Sequence, residues 1–223
     1  MKTKIPRQDN DVFLDGEKLY GNDFSESEIE EWFRDEQEGY AELGLYHRSH
    51  HRYGYHKLNW HHGYSYLPNN QRFRHVLCFG EAYGEELQPI SGKIDFVTLL
   101  DPSEVFSGVD RIFGIPCRYV KPTALGDLPF ADSTFDLVTC HGVMHHIPNV
   151  SKVIKECSRC LVKDGVMLLR EPISSMGDWR YPRPGLIKRE RGIPLKLLTS
   201  ILTNAGFLIE KTFMYVSGNE GVF

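Results

Sequence analysis

Between residues 74 and 172 the chain alternates short, almost wholly apolar runs with helix-like or turn-like pieces, and this alternation limits the possible folds more than any other feature. The runs are HVLCFG, KIDFVTLLD, CRYV, FDLVTCHG and GVMLLREP. A strand with one wet face alternates apolar and polar residues, whereas a strand covered on both faces is apolar throughout. Five such runs with crossover-sized spacers predict an α/β fold, a mostly parallel central sheet with helices on both faces. Between the fourth and fifth runs, NVSKVIKECSRCLVKDG carries Val153, Ile154, Cys157, Cys160 and Leu161 on one helical face, with Gly165 as the expected stop.

The flanks differ from this centre. Residues 1–72 are polar and then rich in His and aromatics, as in YHRSHHRYGYHKLNWHHGYSY, and read as a helical N-terminal cap or lid. Ile29, Trp32, Phe33, Tyr40 and Leu43 are spaced for an amphipathic helix, with Ser25 or Ser27 as its N-cap. After residue 173 a loop rich in Pro and Gly precedes a helix near 194–205 and an expected final strand, FLIEKTFMYVS. At 223 residues the chain suits one structural unit, a cap over 1–72 and a main domain over 73–223.

Composition removes several function classes. Lys and Arg total 26 against 30 Asp and Glu, a formal net charge of -4, so no nucleic-acid partner is expected. No apolar stretch reaches the roughly 20 residues that cross a bilayer, and the N-terminus lacks the apolar run of a signal peptide; no membrane insertion and a cytoplasmic location are expected. Five cysteines, an odd number, fit a reducing compartment, and the lone Cys157-x-x-Cys160 reads as two buried helix residues.

The first run ends in Phe79-Gly80-Glu81-Ala82-Tyr83-Gly84, a glycine turn that lets a ligand approach the backbone. About twenty residues later the second run ends in Leu99-Leu100-Asp101, where folds of this kind place an acid on ribose hydroxyls. Leu128-Pro129-Phe130-Ala131-Asp132-Ser133-Thr134-Phe135-Asp136-Leu137-Val138, followed by His141-Gly142-Val143-Met144-His145-His146-Ile147, closely resembles a signature of class I S-adenosylmethionine-dependent methyltransferases of the UbiE-like kind, methyltransferase type 11. The resemblance covers about 74–172 and implies a Rossmann-like methyltransferase fold with S-adenosylmethionine as cofactor.

Position by position, it implies that Gly80, Glu81, Ala82 and Gly84 surround the methionine part of the cofactor and that Asp101, followed by Pro102, holds the ribose. Leu125 and Gly126 would sit near the adenine, and His141 would line the methionine side. Ala82 stands where the motif has its middle glycine, and Ala124 where the third strand usually supplies an acid, so the adenine amino group needs another partner, such as a backbone carbonyl.

Methyl transfer needs acceptor and methyl held in line, and a base if the acceptor is a hydroxyl. His145 and His146 fall just beyond the fourth strand and are the candidate bases, with the greater weight on His145; Glu171, just past the fifth strand, is a candidate to orient the imidazole or bind an acceptor hydroxyl. The following loop carries Arg170, Trp179, Arg180, Tyr181, Arg183, Lys188, Arg189 and Arg191. Guanidinium forks and aromatic faces together suit a sugar acceptor, whether a glycan, a deoxyhexose such as rhamnose, or a nucleotide-sugar. The tail and cap give an impression of methyltransferases of surface-polysaccharide assembly, which implies carbohydrate modification, glycan biosynthesis and fusion to or association with glycan-assembly enzymes. Tyr53, Tyr55, His56, Asn59 and Trp60 are candidates for a lid over cofactor or acceptor. The histidines at 47, 50, 51, 56, 61 and 62 lack a compact ligand set such as HExxH, and no protein-held metal is expected.

Two other classes compete. A nicotinamide-dependent oxidoreductase or epimerase shares strand, glycine turn and ribose acid but would need G-x-G-x-x-G, which is incomplete here, and a Tyr-x-x-x-Lys pair. A degenerate binding module would not need Gly80, Asp101 and the His pair. Within methyltransferases, O- or N-methylation of a small aromatic or quinone-like metabolite predicts a more apolar mouth than Arg, His, Trp and Tyr supply.

Overall fold

The computed structural model describes residues 11–41, 54–174 and 189–215. Strands β1 (Val76–Phe79), β2 (Val97–Leu100), β3 (Arg111–Ile112), β4 (Ile115–Val120), β5 (Phe135–His141) and β6 (Leu161–Arg170) form one sheet of order β3-β4-β2-β1-β5-β6. All neighbours are parallel except the short β3–β4 hairpin. Alternate residues of the same strands serve opposite cores. Leu77, Phe79, Leu100, Val138 and Cys140 pack on one face, and Val76, Cys78, Val97, Leu99 and Leu137 on the other. Burial on both sides is why the runs read as continuous apolar sequence.

The first face is covered by α4 (Val150–Cys160) and α5 (Leu195–Asn204), through Val153, Ile154, Cys157 and Leu198. Both cysteines of the CxxC are buried there, as the periodicity requires. The other face is covered by α3 (His56–His62), a 3-10 turn at Tyr64–Tyr66 and a nine-residue 3-10 segment, Glu85–Lys93. Pro89 inside that segment removes a backbone donor, which explains why the piece after the glycine turn is not an α-helix.

Two expectations change. Gly165 does not stop α4, which ends at Cys160 with the chain passing directly into β6. Instead it lies where the β5–β6 register shifts between Phe135 and Leu137, next to Asp164 at φ 62°. The expected final strand is not formed over 207–215, where Leu208, Met214 and Tyr215 are exposed and Phe213 stacks on Tyr66. Residues 216–217 of that segment lie outside the described residues.

Before the sheet come α1 (Asp11–Leu14) and α2 (Glu26–Ala41). Ser25 caps α2: the Glu28 carboxylate accepts from both the Ser25 amide (2.8 Å) and its hydroxyl (2.6 Å). Ile29 and Trp32 are buried on one face of α2, and Gln37 donates to the Pro102 carbonyl (3.3 Å), which ties the helix to the end of β2. Strand order reverses around β1, between β2 and β5, so a crevice opens at the carboxyl ends of these strands. Helix α2 lies over it.

Candidate active site

That crevice is a cavity of about 410 Å³, within the range of a small-molecule site. Its walls include Gly80, Glu81 and Ala82 of the glycine turn, Asp101 and Pro102 after β2, Ala124 and Gly126 after β4, His141 and His146 around the end of β5, and Trp32, Phe33 and Glu36 of α2. Gly80 must be glycine: its φ is +66°, and a Cβ there would meet Val143 Cγ1 at 2.4 Å. Ala82 takes a positive φ of 48° without a glycine's freedom. Gly84 packs on Ile112 instead of lining the cavity, and Leu125 turns its carbonyl to Asn149 Nδ2 (2.8 Å).

Asp101 is almost fully buried. Its Oδ1 accepts from the Ser103 amide (2.8 Å) and its Oδ2 from the Ala82 amide at a long 3.4 Å. Burial dominates these bonds and pushes the carboxyl up to about 6. Such a group has spare capacity for donors. Across the cavity wall, Asn149 Oδ1 is buried with no hydrogen-bond partner. These two acceptors fit an adenosine: a ribose diol on Asp101 and an amino group on Asn149, which makes good the acid absent at Ala124. S-Adenosylmethionine therefore fits the residues present, with Gly80, Glu81, Ala82 and His141 left for its methionine end.

Two histidine–carboxylate pairs flank the tip of β5. His141 Nδ1 is 2.5 Å from Glu81 Oε1, both side chains buried, and Glu81 Oε2 accepts from Thr139 Oγ1 (2.7 Å). Burial alone would raise the Glu81 carboxyl, but His141 and the hydrogen bonds outweigh it and hold it down to about 2. Next to it Glu86 is pushed well up by burial and by Glu81, and its Oε1 accepts from Cys78 Sγ (2.7 Å). In the second pair, His145 Nδ1 is 2.8 Å from Glu171 Oε2, whose carboxylate also accepts from the amides of Val143 (2.9 Å), Met144 (2.8 Å) and His145 (3.2 Å). Burial would lower the His145 ring, but Glu171 and Glu190 reverse that and raise it to about 9.

The adjacent histidines are thus distinguished. His145 lies behind the cavity wall as an imidazolium. His146 lines the cavity, with Nδ1 3.2 Å from Glu36 and Nε2 3.4 Å from Glu190, and burial pulls its ring below the usual histidine range. Glu171 is wholly buried under the 143–145 turn and holds the turn instead of facing the cavity.

The same turn is clamped from behind. Arg191, 1% exposed, donates to the carbonyls of Tyr20 (2.6 Å), His145 (3.0 Å), Ile147 (2.7 Å) and Pro148 (3.2 Å), and Trp32 Nε1 donates to the His146 carbonyl (2.7 Å). Arg189 pairs with Asp35 (2.6 Å) and Glu31 (3.0 Å). Neither arginine is left to read an acceptor. Tyr55, His56, Trp60 and Arg170 do not line the cavity; the Arg170 guanidinium lies over the Tyr55 ring at 4.1 Å. Tyr53, Trp179, Arg180, Tyr181, Arg183 and Lys188 lie outside the described residues. Two sets of side chains, His145–His146–Glu190 and Cys78–Glu81–Glu86, have the donor types for a cation, and in both the atoms already face one another.

Sequence reasoning missed Glu36 and Asn149. The first had a legible signal: a carboxylate at the spacing of the apolar stripe, four residues after Trp32. Asn149 had none, since its use depends on a turn formed by residues 123–126.

Residues 77–169 match the family model described as "Methyltransferase domain". An uncharacterised methyltransferase of Bacillus subtilis, YcgJ, is 30% identical over 95 residues, 43% of this chain and 35% of that protein. The match thus spans about a third of the length of that curated relative. Among solved structures, YcgJ superposes with a TM-score of 0.50 at 24% identity over 61% of this chain and 63% of that one. A Thermotoga maritima S-adenosylmethionine-dependent methyltransferase, described as a possible histamine N-methyltransferase, gives 0.52 at 20% identity over 83% and 82%. The [4+2]-cyclase SpnF gives 0.54 at 18% identity over 70% and 57%, so the fold also serves other chemistry. Residues 77–169 are thus similar to a methyltransferase domain, and the sheet around the cavity shares the fold of S-adenosylmethionine-dependent methyltransferases.

Proposed function

We propose that the protein transfers the methyl group of S-adenosylmethionine to a hydroxyl of a sugar, with His146 receiving the proton. The observation that carries this reading is the contrast within the histidine pair: His146 faces the cavity with a ring that burial keeps neutral, while His145 is already protonated between two carboxylates. This moves the base from His145 to its neighbour, and gives Glu171 the role of positioning the turn.

S-Adenosylmethionine supplies a methyl on a sulfonium, an electrophile that needs no activation by the protein. The chain's task is geometry and one proton. Asp101 and Asn149 hold the nucleoside, and the glycine turn with Glu81 and His141 holds the amino-acid end. The acceptor oxygen approaches from the side of α2. As the methyl group passed to the acceptor oxygen, His146 would take that oxygen's proton, and Glu36 and Glu190, facing the two ring nitrogens, would stabilise the resulting imidazolium.

His146→Ala tests this. Turnover should fall by about 10²- to 10⁴-fold, with affinity for S-adenosylmethionine, read by calorimetry, within about twofold of the parent. Undiminished turnover would remove the base, and His145→Ala losing activity through lost stability alone would support it.

A further inference from the structure

Glu36 is a cavity-lining carboxylate that the cofactor reading leaves unused and whose two oxygens, among the described residues, are both buried without a hydrogen bond. It is 6% exposed, and its Oε2 comes within 3.2 Å of His146 Nδ1 without hydrogen-bond geometry. Helix α2 places it one turn beyond Trp32, where a leucine would continue the buried stripe. A buried carboxylate without donors is costly, and that cost falls only when something in the cavity donates to it.

The surroundings restrict that donor. Among the described residues lining the cavity there is no lysine or arginine, while Glu36, Glu81, Glu85, Glu86 and Asp101 all carry carboxyl groups. The nearby guanidiniums of Arg189 and Arg191 are spent on Glu31, Asp35 and backbone carbonyls. Among the described residues of the cavity wall, a phosphate beside Glu36 would find carboxyl groups and no lysine or arginine. Two neighbouring hydroxyls of a sugar ring, or an ammonium, can instead donate to both carboxylate oxygens.

We propose that Glu36 is the acceptor-anchoring residue of this site, and that it selects an acceptor presenting hydroxyl or ammonium donors and no phosphate next to the methylated atom. The inference rests on the methyl-transfer reading above and deepens it: a neutral glycoside, not a nucleotide-sugar, is the fitting sugar.

The test is calorimetric binding to protein saturated with S-adenosylhomocysteine, using methyl rhamnoside, a nucleoside-diphosphate rhamnose and benzylamine as probes, on the parent, Glu36→Gln and Glu36→Ala. The parent should bind methyl rhamnoside more tightly than the nucleotide form, and Glu36→Gln should weaken it by about tenfold or more. S-Adenosylhomocysteine affinity should stay unchanged and the thermal unfolding temperature should not fall, which controls for folding. Equal rhamnoside affinity in parent and Glu36→Gln, tighter binding of the nucleotide form, or binding of none of the three overturns the anchor. The two readings separate. Glu36-dependent binding of benzylamine alone supports the anchor and sinks the sugar hydroxyl, and equal methyl transfer to the rhamnoside by parent and Glu36→Gln sinks the anchor and keeps the sugar.

Discussion

The two histidine–glutamate pairs at the tip of β5 are chemically alike and do different work. In the His141–Glu81 pair the carboxylate also bonds side chains, Thr139 and Cys78. In the His145–Glu171 pair it also bonds three successive backbone amides. A carboxylate held by side chains tunes charge; one held by amides sets the path of the chain. The comparison teaches that what else the carboxylate binds decides whether such a pair serves electrostatics or architecture.

The sharpest way to break this distinction is truncation of both acids. Glu171→Ala leaves three amides and an imidazolium unanswered in the interior and should cost about 4 kcal/mol in denaturant unfolding. The pairs should next separate by pH. His145 has a raised folded pKa, so its contribution is complete below the unfolded value near 6.5 and disappears as pH climbs through about 9. Glu190 and His146 face the same ring, so the limb belongs to that cluster. Glu81 has a depressed pKa, so its contribution is present above about 4.5 and disappears as pH falls through about 2. Each limb should amount to on the order of 3 kcal/mol. Glu171→Gln should abolish only the alkaline limb and Glu81→Gln only the acid one; one substitution flattening both would merge the pairs.

Glu81→Ala should cost less than Glu171→Ala, about 2 kcal/mol, because no backbone amide loses its acceptor and the repulsion that raises Glu86 is relieved. Equal losses would mean that backbone anchoring adds nothing. Asp101 is the control with no imidazole beside it. Its carboxyl is raised, so ionisation opposes folding above the unfolded value, and Asp101→Asn should stabilise the ligand-free protein at neutral pH by on the order of 1 kcal/mol. The same substitution should weaken S-adenosylmethionine by about tenfold, since the diol then meets a neutral amide.

The sheet was legible because burial on both faces writes itself into consecutive residues, as in Val76–Phe79 and Val97–Leu100. The two-residue β3 and the 3-10 segment around Pro89 are too short or too irregular to leave such a pattern. Residues 207–215 show the opposite failure. FLIEKTFMY has local strand character, but a strand needs a neighbour, and Phe213 instead packs on Tyr66 and His62. Within the site, the places of Gly80 and Asp101 on the cavity wall were legible because they follow from position at a strand end. His145 and His146 were found as a pair, but the greater weight fell on His145, because the ranking depends on Glu171, Glu190 and the reach of the cavity. Arg191 looked like an acceptor residue on composition and is instead a clamp, since its four carbonyl partners lie 43 to 171 positions away.

That clamp bears on the order in which the protein matures. Every strand of the sheet has been synthesised once residue 170 is added, yet the turn bearing His146 still lacks the side chain that fastens it to Tyr20. The wall of the cavity that carries His146 is therefore the last to be secured as the chain is made, after the strands that frame the crevice already exist.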